Sequence, residues 1–127
     1  MKKIILSLAF SAFSVILVMA QKQMNLPLIP LPQNLEIGQG SFEINETTVL
    51  NSETEDALND LNFLQSYIND HYGVALKSII GNMQKRSVYV KRNLSLKPDA
   101  YTLKIDSMGV HLEGGNGAGV FYGIQTL

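Results

Sequence analysis

The chain has 127 residues, ten basic and eleven acidic side chains, and neither cysteine nor tryptophan. This length excludes a two-domain enzyme, and it excludes a barrel of eight strand–helix units, which needs upward of ~200 residues. A net charge of −1 without a basic run argues against nucleic-acid binding, and the missing cysteine removes disulfides, thiolate metal sites and a cysteine nucleophile.

Met1-Lys2-Lys3 gives a positive start, and Ile4 to Ala20 is apolar apart from its serines. That is the plan of a secretory signal peptide cleaved between Ala20 and Gln21. The alternative is an uncleaved anchor, since the stretch is close to the ~17-residue lower limit for spanning. The leader looks bacterial, so the periplasm or the outside is the expected destination, with membrane contact only through the transient leader. What remains, residues 21–127, is about 107 residues, enough for one modest core.

Asn25 to Pro32 carries three prolines and reads as an extended entry segment. Leu35 and Ile37, then Phe42 and Ile44 after Gly38-Gln39-Gly40, alternate with polar residues and predict a hairpin. Thr47 to Leu50 predicts a short strand. Ser52 and Glu55 have the spacing of a capping box opening a helix over Glu53–Tyr72. Ala57, Leu61, Leu64 and Ile68 form its buried stripe, broadened by Leu58, Phe63 and Tyr67. Asp56, Asn59, Asp60, Asn62, Asn69 and Asp70 fill its wet side, and Gly73 is placed for a left-handed cap.

Ala75 to Ile80 predicts a strand, and Ser87 to Lys91 alternates with Val88 and Val90 on one face. Leu94 to Pro98 reads as a loop. Tyr101 to Glu113 reads as a second hairpin turning at Asp106-Ser-Met-Gly109. A glycine-rich connector, Gly114 to Gly119, leads into an apolar helical face starting near Asn116 or Gly117 and carried by Val120, Phe121, Ile124 and Leu127. The expected class is α/β or α+β: one sheet of mixed or antiparallel strands packed with two helices. The last helix stops on an apolar residue in mid-stripe with no cap, so the polypeptide is expected to continue. An accidental stop and a deliberately short protein are the alternatives.

Chemistry is sparse. The glycine run lacks the dinucleotide-binding spacing, and no lysine follows to make a P-loop, so it reads as a connector. His71 and His111 have no second ligand nearby, and each reads as structural or solvent-exposed. Asp56, Asp60 and Asp70 read as a solvated face. No serine has a nucleophile-elbow context. Asn45-Glu-Thr47 and Asn93-Leu-Ser95 fit the glycosylation acceptor pattern, which is frequent by chance and idle in most bacteria. No catalytic residue, metal site or cofactor site emerges from the residues.

Two stretches nevertheless carry a resemblance. Leu28-Ile-Pro-Leu-Pro-Gln-Asn-Leu-Glu-Ile-Gly-Gln-Gly-Ser-Phe42 resembles the opening of bacterial glycoside hydrolase family 20 enzymes, the β-N-acetylhexosaminidases. Tyr101-Thr-Leu-Lys-Ile105, Gly109-Val-His-Leu112 and Gly119-Val-Phe-Tyr-Gly-Ile-Gln-Thr-Leu127 resemble the close of that family's N-terminal domain. The middle, Asn51 to Lys97, resembles it least. Similar domains precede some other glycosidase barrels, including O-N-acetylglucosaminidases of family 84, and the Ile29-Pro-Leu-Pro32 opening favours family 20.

The resemblance implies a zincin-like sandwich without zinc, followed by a TIM barrel. In that barrel an Asp–Glu pair would remove terminal N-acetylglucosamine or N-acetylgalactosamine from glycans with assistance from the substrate's acetamido group. No residue of that pair maps onto this sequence. The implied partner is the barrel of the same polypeptide, reached through Phe121, Ile124 and Leu127, with the glycan bound by that barrel. The rival expectation is a free-standing exported module that binds a glycan or a protein.

Overall fold

The computed structural model describes residues 26–29 and 31–127. The leader, its cleavage point at Ala20–Gln21 and Pro30 of the entry segment lie outside the described residues. Five strands and two helices follow in the order β1 (Val49–Ser52), α1 (Leu58–Tyr72), β2 (Lys77–Ile80), β3 (Ser87–Arg92), β4 (Tyr101–Asp106), β5 (Gly109–Gly114) and α2 (Gly117–Thr126). The sheet order is β2-β1-β3-β5-β4. The first four strands of that order run parallel, and β4 runs antiparallel to β5. This is the mixed sheet with two helices that the sequence predicts.

One face of the sheet is dry because successive side chains alternate. Leu50, Val88, Val90, Val110 and Leu112 form one cluster with Ala57, Leu61, Leu64 and Ile68 of the first helical segment and Val120 and Ile124 of α2. Each large aliphatic side chain buried there contributes roughly 1.5–3 kcal/mol. β3 lies at the centre, so Ser87 to Val90 are all buried, beyond the one-face alternation of its sequence. α1 ends as expected, with Gly73 at φ 69° and its N–H on the Asn69 carbonyl oxygen at 2.9 Å. The β4–β5 hairpin turns in the two residues between Asp106 and Gly109, whose Cα atoms are paired. Asp106 Oδ1 accepts the Met108 N–H at 2.8 Å, and this bond holds the Asp106 carboxyl below the usual carboxylate range. Among the described residues no helix is long and apolar enough to cross a membrane.

Several expectations are corrected. The hairpin over Leu35–Ile44 does not form: these residues are irregular, with Leu35 and Ile37 on the surface while Phe42 and Ile44 pack against the core. The two halves therefore share no dry face, which a hairpin needs for its burial. The strand predicted from Thr47 begins instead at Val49, because Thr47 closes a turn onto the Asn45 side chain. The capping box also fails. Ser52 is the last residue of β1, and its Oγ faces the Thr54 N–H at 3.5 Å. The chain then enters the helix through a 3-10 turn over Glu55–Ala57.

The back of the sheet explains a buried amide. β2 and β3 are parallel but flank β1, so the six residues 81–86 must cross β1 between them. Parallel crossovers usually take a dozen or more residues. Here Asn51, fully buried in β1, pins the short crossing from below. Its Nδ2 donates to the Gly81 carbonyl oxygen at 3.1 Å and the Ile79 carbonyl oxygen at 3.4 Å, and its Oδ1 accepts the Gln84 N–H at 3.1 Å. Asn51→Ala should lower stability by about 3 kcal/mol, at ~1 kcal/mol per lost bond. Urea denaturation reads this, and a loss below the value of one bond would show that the crossing holds without Asn51.

Candidate functional site

Both helices cover the same face of the sheet, and their outer sides carry aromatic rings. Phe63 lies 5.4 Å from Phe121 and 6.4 Å from Tyr67, centroid to centroid, and Tyr67 stacks on His71 at 4.3 Å. Phe121 also meets Tyr122 edge-on at 6.1 Å. Phe63, Tyr67, Phe121 and Tyr122 are each about 40% exposed, and Leu127 is 38% exposed. This row continues into a groove of about 440 Å³ between the two helices and the segment before β1, lined among others by Phe42, Ile44, Leu64, Tyr67, Ile124 and Leu127.

Phe63 and Tyr67, expected to broaden the buried stripe, are exposed instead. They belong to a second stripe at intervals of four, Phe63, Tyr67 and His71, which looks outward and meets α2. That spacing was available in the sequence. Of the three residues expected at a domain junction, Phe121 and Leu127 reach the surface. Ile124, at 6% exposure, belongs to the core and only floors the groove.

α2 is anchored firmly enough to present this face. Asn116 caps it through Oδ1, which accepts the Gly119 N–H at 2.9 Å. At the far end the Tyr101 hydroxyl lies 2.8 Å from Thr126 Oγ1, which donates to the Tyr122 carbonyl oxygen at 2.9 Å. The glycine run acts as the predicted connector: a Cβ on Gly114 would meet Val120, and one on Gly115 would meet the Lys97 carbonyl.

The remaining candidates stay apart. His71 lies in the last turn of α1, with Nδ1 2.9 Å from the Tyr67 carbonyl oxygen. His111 lies on the back of the sheet against Tyr89, with ring centroids 5.0 Å apart. Burial holds the Tyr89 phenol above its ordinary range. Asp56 and Asp70 are exposed, but Asp60 is not solvated as expected. Its Oδ2 pairs with Arg92 Nη2 at 2.5 Å, with side chains only 15% and 18% exposed. Among the described residues no group of three His, Cys, Asp or Glu could hold a metal ion. The ring row offers a surface for binding.

Comparison with known proteins gives a consistent result. The family model described as Glycosyl hydrolase family 20, domain 2, matches residues 25–127. A β-hexosaminidase of Porphyromonas gingivalis is 31% identical over 103 residues, covering 79% of this chain and 13% of its own. A family 20 exo-β-N-acetylglucosaminidase from Vibrio harveyi, crystallised as an inactive mutant, is similar with a TM-score of 0.66 at 23% identity, over 77% of this chain and 15% of that one. A family 20 β-N-acetylhexosaminidase from Streptomyces coelicolor is similar with a TM-score of 0.68 at 22% identity, over 79% of this chain and 20% of that one. The chain thus spans about an eighth of the curated relative it matches.

Proposed function

The chain belongs to glycosyl hydrolase family 20, of which it carries domain 2, and on that premise we propose that it is the accessory part of an exported β-N-acetylhexosaminidase. In this reading the hydrolysis of terminal N-acetylglucosamine or N-acetylgalactosamine, assisted by the substrate's own acetamido group, takes place in a barrel outside these residues. The domain's part is mechanical: it holds an apolar face against that barrel. The observation that carries this role is the exposed ring row from Phe121 through Phe63 to Tyr67. Aromatic side chains half-exposed in one continuous patch gain most by burial against a partner.

The test takes the whole reading frame containing codons 1–127. Its product should hydrolyse a chromogenic N-acetylglucosaminide, while residues 21–127 alone should give the blank rate. The double variant Phe63→Ser/Phe121→Ser should lower the melting temperature of the whole product, because both rings are already half in water within the domain. Turnover by residues 21–127, or a reading frame without a second domain, would overturn the proposal. The latter result, with binding of a glycan by the ring row, would favour the free-standing module. Export is read from the mature product, whose mass should begin at Gln21.

A further inference from the structure

The two Asn-x-Ser/Thr patterns are not equivalent in the folded chain, and we propose that Asn45 is an acceptor for N-linked glycosylation while Asn93 is not. The acceptor atom in this chemistry is the carboxamide nitrogen, which is a poor nucleophile because its lone pair is delocalised into the carbonyl. Hydrogen bonds donated to the amide oxygen draw density away from nitrogen's N–H bonds and favour the imidic form, whose nitrogen can attack.

Asn45 has that arrangement. Its Oδ1 accepts both the Thr47 N–H at 3.0 Å and the Thr47 hydroxyl at 2.7 Å. Its Nδ2 donates to no group among the described residues. The backbone is held as well: the Asn45 N–H donates to Thr48 Oγ1 at 3.0 Å, and the Thr48 N–H donates to the Asn45 carbonyl oxygen at 2.8 Å. Glu43, Glu46 and Thr47 around it are exposed, so the turn is open to a second protein. Two carboxylates flank the acceptor and suit a basic docking site on the transferase.

Asn93 shares the backbone contact to its Oδ1 and differs in the rest. Its Nδ2 is engaged by Glu113 Oε2 at 2.6 Å, which ties the nitrogen to the neighbouring strand. Its Oδ1 accepts only the Ser95 N–H, at 3.0 Å, and Ser95 adds no hydroxyl bond. Lys91 stands two residues before it, where Glu43 stands before Asn45.

The co-reactant is a polyprenyl-diphosphate-linked oligosaccharide in the exported compartment. The Asn45 nitrogen forms a bond to C1 of the reducing sugar and the bond from C1 to the diphosphate oxygen breaks. The lipid diphosphate leaves with the electron pair, and one amide proton passes to the transferase's base. The inference rests on the proposed export, and its test separates the two.

The full chain is produced in two forms, one with its own leader and one with an established export leader in place of residues 1–20. Each is made in bacteria carrying an oligosaccharyltransferase and its lipid-linked glycan. The native-leader form reports export alone, through cleavage before Gln21. In the second form, intact mass and peptide mapping should find the glycan on Asn45 as the main species. Asn45→Gln and Thr47→Ala should remove it, Asn93→Gln should leave it unchanged, and Glu43→Gln should reduce the modified fraction severalfold. Exported chain without glycan, or with glycan on Asn93, overturns the proposal.

Discussion

Gly119→Ala is expected to lower the stability of the domain by about 3 kcal/mol, the upper part of the range for forcing atoms into a packed interior. Gly119 is buried in the first turn of α2, and a Cβ there would overlap the carbonyl oxygen of Ala100. A flexible side chain could swing aside, but this neighbour is backbone, and it is already committed: the Ala100 oxygen accepts the Gly115 N–H at 2.9 Å. The adjoining Asp99 is tied to the same helix start, with its N–H on Asn116 Oδ1 at 3.1 Å and its carboxylate accepting the Asn116 Nδ2 at 2.8 Å. Relieving the overlap therefore means moving the cap, the loop before β4 and α2 together. Ala118, one position earlier and exposed, is the control: Ala118→Ser should change stability by less than about 0.5 kcal/mol. Urea midpoints for the two variants check this, and equal midpoints would show that the loop yields freely. Because α2 carries Phe121 and Tyr122, the same change should also disturb the outer ring row.

The parts of this fold that the sequence made legible are those whose cause is local. The stripe of Ala57, Leu61, Leu64 and Ile68 repeats at the helical period, and all four are buried. The turn at Asp106–Gly109 has residues that favour tight reversal, and the hairpin forms in that register. The apolar helical face expected to start near Asn116 or Gly117 is α2, which begins at Gly117. What local pattern could not supply is pairing at a distance. β1, β3 and β5 lie side by side in parallel, an arrangement that no turn between them announces. Asn51 looks like an ordinary polar residue until the crossing of residues 81–86 is known to pass over it. The Leu35–Ile44 alternation misled because alternation marks a strand only where a partner exists to share its dry face. The outward row failed for another reason: Phe63 and Tyr67 are apolar enough to pass as core, and only Phe121, brought up by α2, shows which side they face.

The second large effect concerns Asp60, taken from the sequence for a solvated carboxylate. Arg92→Met should cost roughly 3–5 kcal/mol at neutral pH, the range for breaking a buried pair by removing one partner. Asp60 comes from α1 and Arg92 from the end of β3, and both side chains are more than four-fifths buried, so the charge left behind would have little water to turn to. The pH dependence gives the assignment a sign. Burial is the larger influence on Asp60 and raises its carboxyl above the usual carboxylate range, with Arg92 pulling it back down. A carboxyl raised in the folded state holds its proton more tightly there than in the unfolded chain. Its favourable contribution is therefore complete below the unfolded value and is lost as pH rises through the folded one. Removing Arg92 removes the opposing pull, so the folded value climbs further and the window widens upward. Arg92→Met should thus be most damaging near pH 7.5 and noticeably less so near pH 4.5, when each is compared with the unaltered chain at the same pH. Asp60→Leu/Arg92→Met, which takes out both charges, should recover most of the loss, because an apolar pair of similar volume replaces an ion pair that gained little net stability from its burial. Urea denaturation of the three proteins at the two pH values decides it. A loss below about 1 kcal/mol, the level of a surface pair, would contradict the buried pairing. A loss independent of pH would mean that Arg92 acts through its packing beside Gly117 and not through the Asp60 charge.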